Sequence, residues 1–436
     1  MNDSFESARQ HFLDGVRRYE AGDAAAAALC FEAALARVPG RVSVLVNLAA
    51  ARLQLAQPRQ ALTALDEALA AEPQHADAWC HRGIACSELG RDDDALHSFD
   101  RALALEPGQV PARYHRAATL NRRGRHAQAL DALDGLLRDA PAHSQAWMLH
   151  GQTLQSLGRH AQAQASYEQA LALDPALGRA WSHLGHLLND LGQPQPAALA
   201  FERAAACGDE RPMNHYFLAA LTGREAPPAT PPAYVRALFD SYAQDFETHL
   251  VQTLHYRAHA LVVQAAQAAL LPGPGLLSSA LDLGCGTGLC GPLLRPLARQ
   301  LTGVDLSPTM LARSAERAVY DDLVQADIAE HLQHTPRRHA LVVAADVFIY
   351  IGDLDAVFAG VRRVLQAGGV FAFSVEATGD EHGWQLRRSF RYAHSERYLR
   401  ALSAAHGFEL LALQTASLRE EQRQAIEGRI VCLRAP

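Results

Sequence analysis

The residues most able to do chemistry lie in Leu281-Asp-Leu-Gly-Cys-Gly-Thr-Gly288, where an apolar strand pattern breaks into glycine. A glycine turn between a strand and a helix lets backbone N–H groups approach a nucleotide closely. Gly286-x-Gly288-x-x-Gly291 also satisfies the dinucleotide fingerprint. Asp305 closes the next strand 19 residues after Gly286, where a ribose-binding acid belongs in either reading. Three features weigh against a dinucleotide. Asp282 stands just before Gly284, and an anion there suits a cationic ligand better than a pyrophosphate, which wants N–H donors. Asp305-Leu-Ser-Pro-Thr-Met310 puts a helix start and a flexible apolar residue beside a nucleoside. Gln325-Ala-Asp-Ile328 and Ala344-Ala-Asp-Val347 put carboxylates at the ends of the third and fourth strands, on the ligand edge.

A second group follows the fifth strand: Glu376, then Trp384-Gln-Leu-Arg-Arg-Ser-Phe-Arg-Tyr-Ala-His394. His394 titrates in the range of a general base, or else helps cap the helix that begins near Ser395. With Tyr392 and Asp346 it makes up the candidate catalytic set. Arg387, Arg388 and Arg391 either bind an anionic acceptor, whose geometry a guanidinium matches bidentately, or form a solvated face. Cys285 and Cys290 flank the glycine turn and read as small packing residues.

These residues need a sheet to hold them. Strand patterns at 280–285, 301–306, 323–328, 340–348, 369–375, 409–415 and 429–433 alternate with short amphipathic helices, which predicts a seven-stranded, largely parallel α/β core over 276–436. A helical cap over 234–272 precedes it. Before the cap, 224–233 carries four prolines and reads as an extended linker.

The first half is periodic. Proline recurs every 34 residues at Pro39, Pro73, Pro107, Pro141 and Pro175, and tryptophan falls at Trp79, Trp147 and Trp181. Glycine recurs at Gly15, Gly83, Gly151 and Gly185, and alanine at Ala27, Ala61, Ala95, Ala129, Ala163 and Ala197. Six helix-turn-helix units start at 8, 42, 76, 110, 144 and 178, and 211–223 reads as a capping helix, so that 1–223 forms an all-α solenoid. The sixth position of the first helices holds Leu13, Asn47, His81, His115, Leu149 and His183. Asn47, His81, His115 and His183 form either a polar ladder along the concave groove or a set of solvated side chains.

The repeats resemble the tetratricopeptide family, whose peptide-binding members hold an extended ligand by such ladders; the resemblance implies a protein or peptide partner. Residues 234–436 resemble a class I methyltransferase that uses S-adenosylmethionine, and the whole chain resembles bacterial proteins joining the two. The resemblance implies that Asp282 and the backbone of Gly284, Cys285, Gly286 and Gly288 surround the methionine part of the cofactor. Asp305, beside Leu306, would accept from the ribose hydroxyls; Met310 would pack on adenine, and Asp327 with Ile328 would meet its amine. Asp346 would wall the methyl-transfer site and Tyr242 cover the cofactor. The acceptor is either a protein or peptide recruited by the groove or a small metabolite, with the repeats serving assembly alone.

Composition bounds the rest. The 436 residues suit two to four domains; 49% are apolar and 20% charged, which excludes a disordered chain. A net charge of −7 lacks the basic excess of a general nucleic-acid binder. No apolar run reaches the roughly 18 residues of a membrane span, and the start shows no leader pattern. Seven scattered cysteines argue for a reducing compartment, hence a cytoplasmic protein, and no metal is expected.

Overall fold

The computed structural model describes residues 2–242, 256–270, 275–379, 383–421 and 424–436. The chain divides into two compact units, Met1–Asp209 and Glu210–Pro436. Among the described residues, no helix is long and apolar enough to cross a membrane.

The first unit is built of helix pairs: α1 (Asn2–Glu20) with α2 (Ala24–Arg37), α3 (Val42–Gln54) with α4 (Pro58–Ala71), and α5 (Ala76–Glu88) with α6 (Asp92–Leu105). The series continues with α7 (Val110–Arg122) and α8 (His126–Asp139), α9 (Ser144–Ser156) and α10 (His160–Leu173), and α11 (Gly178–Asp190) and α12 (Pro194–Ala206). Each periodic residue type has a physical task. The indole N–H of Trp79, Trp147 and Trp181 donates to the carbonyl of Pro73, Pro141 and Pro175, at 2.8, 2.8 and 3.0 Å. The proline that ends one repeat is thereby tied to the first helix of the next. A Cβ at Gly15, Gly83, Gly151 or Gly185 would stand 2.4–2.9 Å from the ring of Phe31, Phe99, Tyr167 or Phe201. Where the repeat carries leucine instead of a ring, at Leu65 and Leu133, alanine replaces the glycine, at Ala49 and Ala117; all four are fully buried. The helices thus reach close packing by exchanging volume between facing positions.

The second unit begins earlier than the expected boundary. Helix α13 (Pro212–Thr222), read as the last cap of the solenoid, packs instead within this unit. Its Tyr216 donates to the Phe390 carbonyl at 2.5 Å, and its Phe217 ring lies 4.6 Å from that of Phe390. Nor is the proline stretch a free spacer. The Pro228 carbonyl accepts from Gly352 and Asp353, Ala229 bridges to Ile351, and Thr230 is buried, its N–H donating to the Tyr350 carbonyl. Proline lacks an N–H but keeps its carbonyl, so a proline strap can still be pinned by donors from one side. Helices α14 (Pro232–Tyr242) and α15 (Ala258–Ala269) follow; 243–255 and the side chain of Tyr242 lie outside the described residues.

The expected strands are present as β1 (Leu277–Leu283), β2 (Ala298–Asp305), β3 (Asp322–Gln325), β4 (His339–Ala344), β5 (Leu365–Ala377), β8 (Glu409–Glu421) and β9 (Gln424–Arg434). Strands β3, β2, β1, β4 and β5 run parallel in that order, and β9 and β8 complete the edge antiparallel. A hairpin of β6 (Trp384–Leu386) and β7 (Tyr392–His394) adds to the carboxyl end of β5 through Glu376 and Ala377. Helices α16 (Gly291–Leu294), α17 (Pro308–Glu316), α18 (Ile328–His334), α19 (Asp355–Val364) and α20 (Glu396–Ala405) complete the unit. Two buried clusters cover the sheet, one around Phe348, Phe358, Phe371 and Phe373, the other around Val262, Leu301, Val343 and Ile430. Because β1 pairs β2 on one side and β4 on the other, the strand order reverses beside it, and a crevice opens at the carboxyl ends.

Candidate active site

A cavity of about 990 Å³ fills that crevice. Such a volume sits at the upper end of the roughly 300–1,000 Å³ range of small-molecule sites, enough for a nucleoside cofactor and a second ligand. Its wall includes Gly284, Cys285 and Gly286 after β1, Asp305, Leu306 and Met310 after β2, Asp327 and Ile328 after β3, and Asp346 after β4.

The glycine turn is demanding. Gly284, Gly286 and Gly288 have φ of +63°, +55° and +83°. A Cβ at Gly284 would stand 2.5 Å from Val347 Cγ2, whereas one at Gly286 meets nothing within 4 Å. Bare backbone at Gly286 therefore leaves free space in the cavity wall, as a cradle for a cofactor requires. Asp305 accepts the Gly286 N–H at 2.8 Å and the Ser307 N–H at 2.9 Å, which fixes its carboxylate at the turn. A carboxylate has about four lone-pair sites, so acceptor capacity remains for ribose hydroxyls. Burial pushes the Asp305 pKa up, against its backbone hydrogen bonds. Met310 is almost fully buried yet lines the cavity. Asp327 caps α18, accepting from Ala329 and Glu330 at 2.8 and 3.2 Å, and lines the cavity as well.

Several sequence-derived roles need correction. Asp282 is not among the lining residues; it is buried behind the turn, takes the Tyr320 hydroxyl at 2.6 Å, and has its pKa pushed up to about 7 by burial. Gly288 also stays out of the wall, its Cα facing Ser314, Arg317 and Tyr320. His394 is fully buried in β7, with Nε2 3.0 Å from the Gly352 carbonyl, and burial pushes its pKa down to about 4. The strand pairing of β7 turns it into the core, so it supports the Ile351–Gly352 loop instead of facing a substrate. Tyr392 is also fully buried and donates to the Pro227 carbonyl. Arg387 pairs with Glu376 at 3.3 Å and Arg388 is exposed; neither lines the cavity, whereas Arg391 does.

Arg419 was not foreseen. The β8–β9 register shifts between Ser417 and Arg419, and such a bulge re-aims side chains. Gly428 of β9 leaves room for Leu418, since a Cβ there would stand 2.3 Å from Leu418 Cδ1. Arg419 consequently points inward, 1% exposed, donating to Asp346 at 2.8 and 3.1 Å and to Glu376. Asp346 itself has φ of +60°, a conformation costing about 1–3 kcal/mol outside glycine. Its N–H donates to Ser374 Oγ at 2.8 Å, which helps hold that strain. The proline strap, Tyr350 and Ile351 form more of the wall.

In the first unit, the histidines expected to form the ladder, His81, His115 and His183, are half-buried. His81 Nδ1 lies 2.9 Å from the Asp77 carbonyl, His115 stacks on Phe99, and His183 stacks on Tyr167 while contacting Gln152 at 2.5 Å. Burial lowers the pKa of His81, and lowers that of His115 to about 4. Asn47 folds back onto the Ser43 carbonyl at 2.8 Å.

Comparison with known proteins agrees with this architecture. A methyltransferase-domain family model matches residues 281–373, and tetratricopeptide-repeat models match 46–110, 88–153 and 144–177. A malonyl-[acyl-carrier protein] O-methyltransferase of Serratia marcescens is 30% identical over 130 residues, 30% of this chain and 48% of that protein. Human methyltransferase-like protein 27 is 43% identical over 86 residues, 20% of this chain and 34% of that protein. The chain spans about half the length of the curated relatives it matches. Among solved structures, the N-methyltransferase NodS of Bradyrhizobium japonicum, in complex with S-adenosyl-L-homocysteine, is 19% identical, with 41% of this chain and 85% of that one covered and a TM-score of 0.34. MamA of Desulfovibrio magneticus is 25% identical, with 39% and 96% covered and a TM-score of 0.35. The chain is thus a tetratricopeptide-repeat array followed by a class I methyltransferase domain.

Proposed function

We propose that this enzyme methylates a small acidic group carried on a protein or peptide that the repeat groove recruits. The observation that carries the reading is Arg391, which lines the cavity and stands 4.0 Å from the Glu376 carboxylate. The wall holds proline and aliphatic side chains such as Pro227, Pro228, Val235 and Ile349, together with Arg419 and the carboxylates of Asp305, Asp346 and Asp353. A guanidinium in such a wall matches a carboxylate bidentately. S-Adenosylmethionine, when bound, supplies a methyl carbon activated by its sulfonium. Asp305 would take the ribose hydroxyls, Met310, Asp327 and Ile328 would receive the adenine, and the backbone of Gly284–Gly286 would face the methionine part. Asp346, held by Arg419, would shape the far wall where the acceptor enters. The protein's task is then alignment and exclusion of water. An ionised carboxylate acceptor needs no general base, which suits a site from which His394 is withdrawn. The Serratia relative is named for O-methylation of a malonyl group on a carrier protein; an acceptor of that kind gives both halves of this chain a task.

A second reading, a free small acid with repeats used only for assembly, draws on the depth of the same cavity. Kinetics with one acid, free and linked to a carrier protein, separate the two. The His81→Gln, His115→Gln and His183→Gln triple variant, checked for folding by circular dichroism, should raise KM for the carrier-linked acid alone and leave kcat nearly unchanged. An unchanged KM in the folded variant favours the free acid.

A further inference from the structure

We propose that His259 forms the subsite for the amino-acid tail of the cofactor, its Nδ1 donating to the tail carboxylate. The inference rests on the S-adenosylmethionine reading and assigns a residue that the glycine motif does not reach. His259 lies in the first turn of α15, lines the cavity, and stacks on Tyr256 with ring centroids 5.2 Å apart and planes at 21°. Its Nδ1 is enclosed and, among the described residues, meets no hydrogen-bonding partner. An enclosed polar atom without a partner costs about 1–3 kcal/mol, and one in a cavity wall is the natural place for a ligand group. The location selects the part of the cofactor. Helix α15 packs on α16, the helix that follows the glycine turn, and Tyr256 shares a buried cluster with Cys290 of that turn. The Arg317 guanidinium donates to the Thr287 carbonyl in the turn at 2.6 Å, and its charge reaches His259, whose pKa burial already lowers. A ring N–H in the cavity wall beside the glycine turn seeks an acceptor, and the anionic group of the cofactor is its carboxylate. A neutral imidazole donates from one nitrogen only, so the ligand would select the Nδ1–H tautomer.

The test compares two nucleosides on the full chain by calorimetry. S-Adenosylhomocysteine carries the amino-acid tail, and 5′-methylthioadenosine carries the same nucleoside and sulfur without it. His259→Ala should weaken S-adenosylhomocysteine roughly tenfold and leave 5′-methylthioadenosine unchanged, because a hydrogen bond to a charged group is lost. His259→Asn, which keeps a short N–H donor, should recover part of the loss and serves if the alanine variant does not fold. Equal weakening of both ligands, or of neither, overturns the assignment. Failure of the unaltered chain to bind either nucleoside would instead overturn the cofactor reading.

Discussion

The Tyr392 hydroxyl donates to the Pro227 carbonyl at 2.6 Å, so a fully buried side chain in the edge hairpin holds the proline strap that walls the active-site cavity. Tyr392→Phe removes this bond alone. The expected cost is about 1 kcal/mol of stability, with KM for the acceptor raised and cofactor affinity kept. Thermal melts and steady-state kinetics check it. A collapse of kcat at constant KM and stability would return Tyr392 to the catalytic set.

Gly83 faces the ring of Phe99, and a Cβ at Gly83 would stand 2.4 Å from Phe99 Cε1. Gly83→Ala should overpack this contact and destabilise the first unit by about 1–3 kcal/mol. Adding Phe99→Leu reproduces the Ala49–Leu65 and Ala117–Leu133 arrangement of the neighbouring repeats. The double variant should be more stable than the sum of the single effects requires, a coupling that denaturant unfolding measures.

His394 is held neutral by burial, with its pKa pushed down to about 4. A depressed histidine pKa means that the unfolded chain binds the proton more tightly. Stability is then full above the unfolded value of about 6.5 and falls as pH drops through that value toward about 4. His115 contributes with the same sign. His394→Asn should reduce the acid sensitivity of unfolding in this window while leaving the shape of the pH–rate profile unchanged. Loss of a titrating limb from that profile would mean that His394 acts on the substrate.

What was legible in the sequence follows from the range of each signal. The 34-residue repeat was plain because the same local contacts recur from unit to unit, Trp to Pro in three and Gly to ring in four. Asp305, Asp327 and Asp346 were readable because they follow or close consecutive strand patterns, and Met310 because it opens the helix after the second strand; each lines the cavity. Residues brought in by distant pairing were not. Arg419 points inward only because of a register shift in the β8–β9 hairpin, and no local pattern marks a bulge. The strap was read as a spacer because prolines suggest extended chain, while its partners, Tyr350, Gly352 and Tyr392, lie more than a hundred residues away. Strands β6 and β7 have three residues each, too few to show an alternating period, so His394 looked available when pairing had buried it.

The central claim, a cradle built for S-adenosylmethionine in a chain whose glycines also satisfy a dinucleotide fingerprint, is tested most directly by calorimetry. S-Adenosylmethionine and its demethylated product should bind, and NAD should give no heat. Asp305→Asn should weaken S-adenosylmethionine by about 1–3 kcal/mol, because the ribose hydroxyls lose a charged acceptor. Tight NAD binding without S-adenosylmethionine binding would contradict the account.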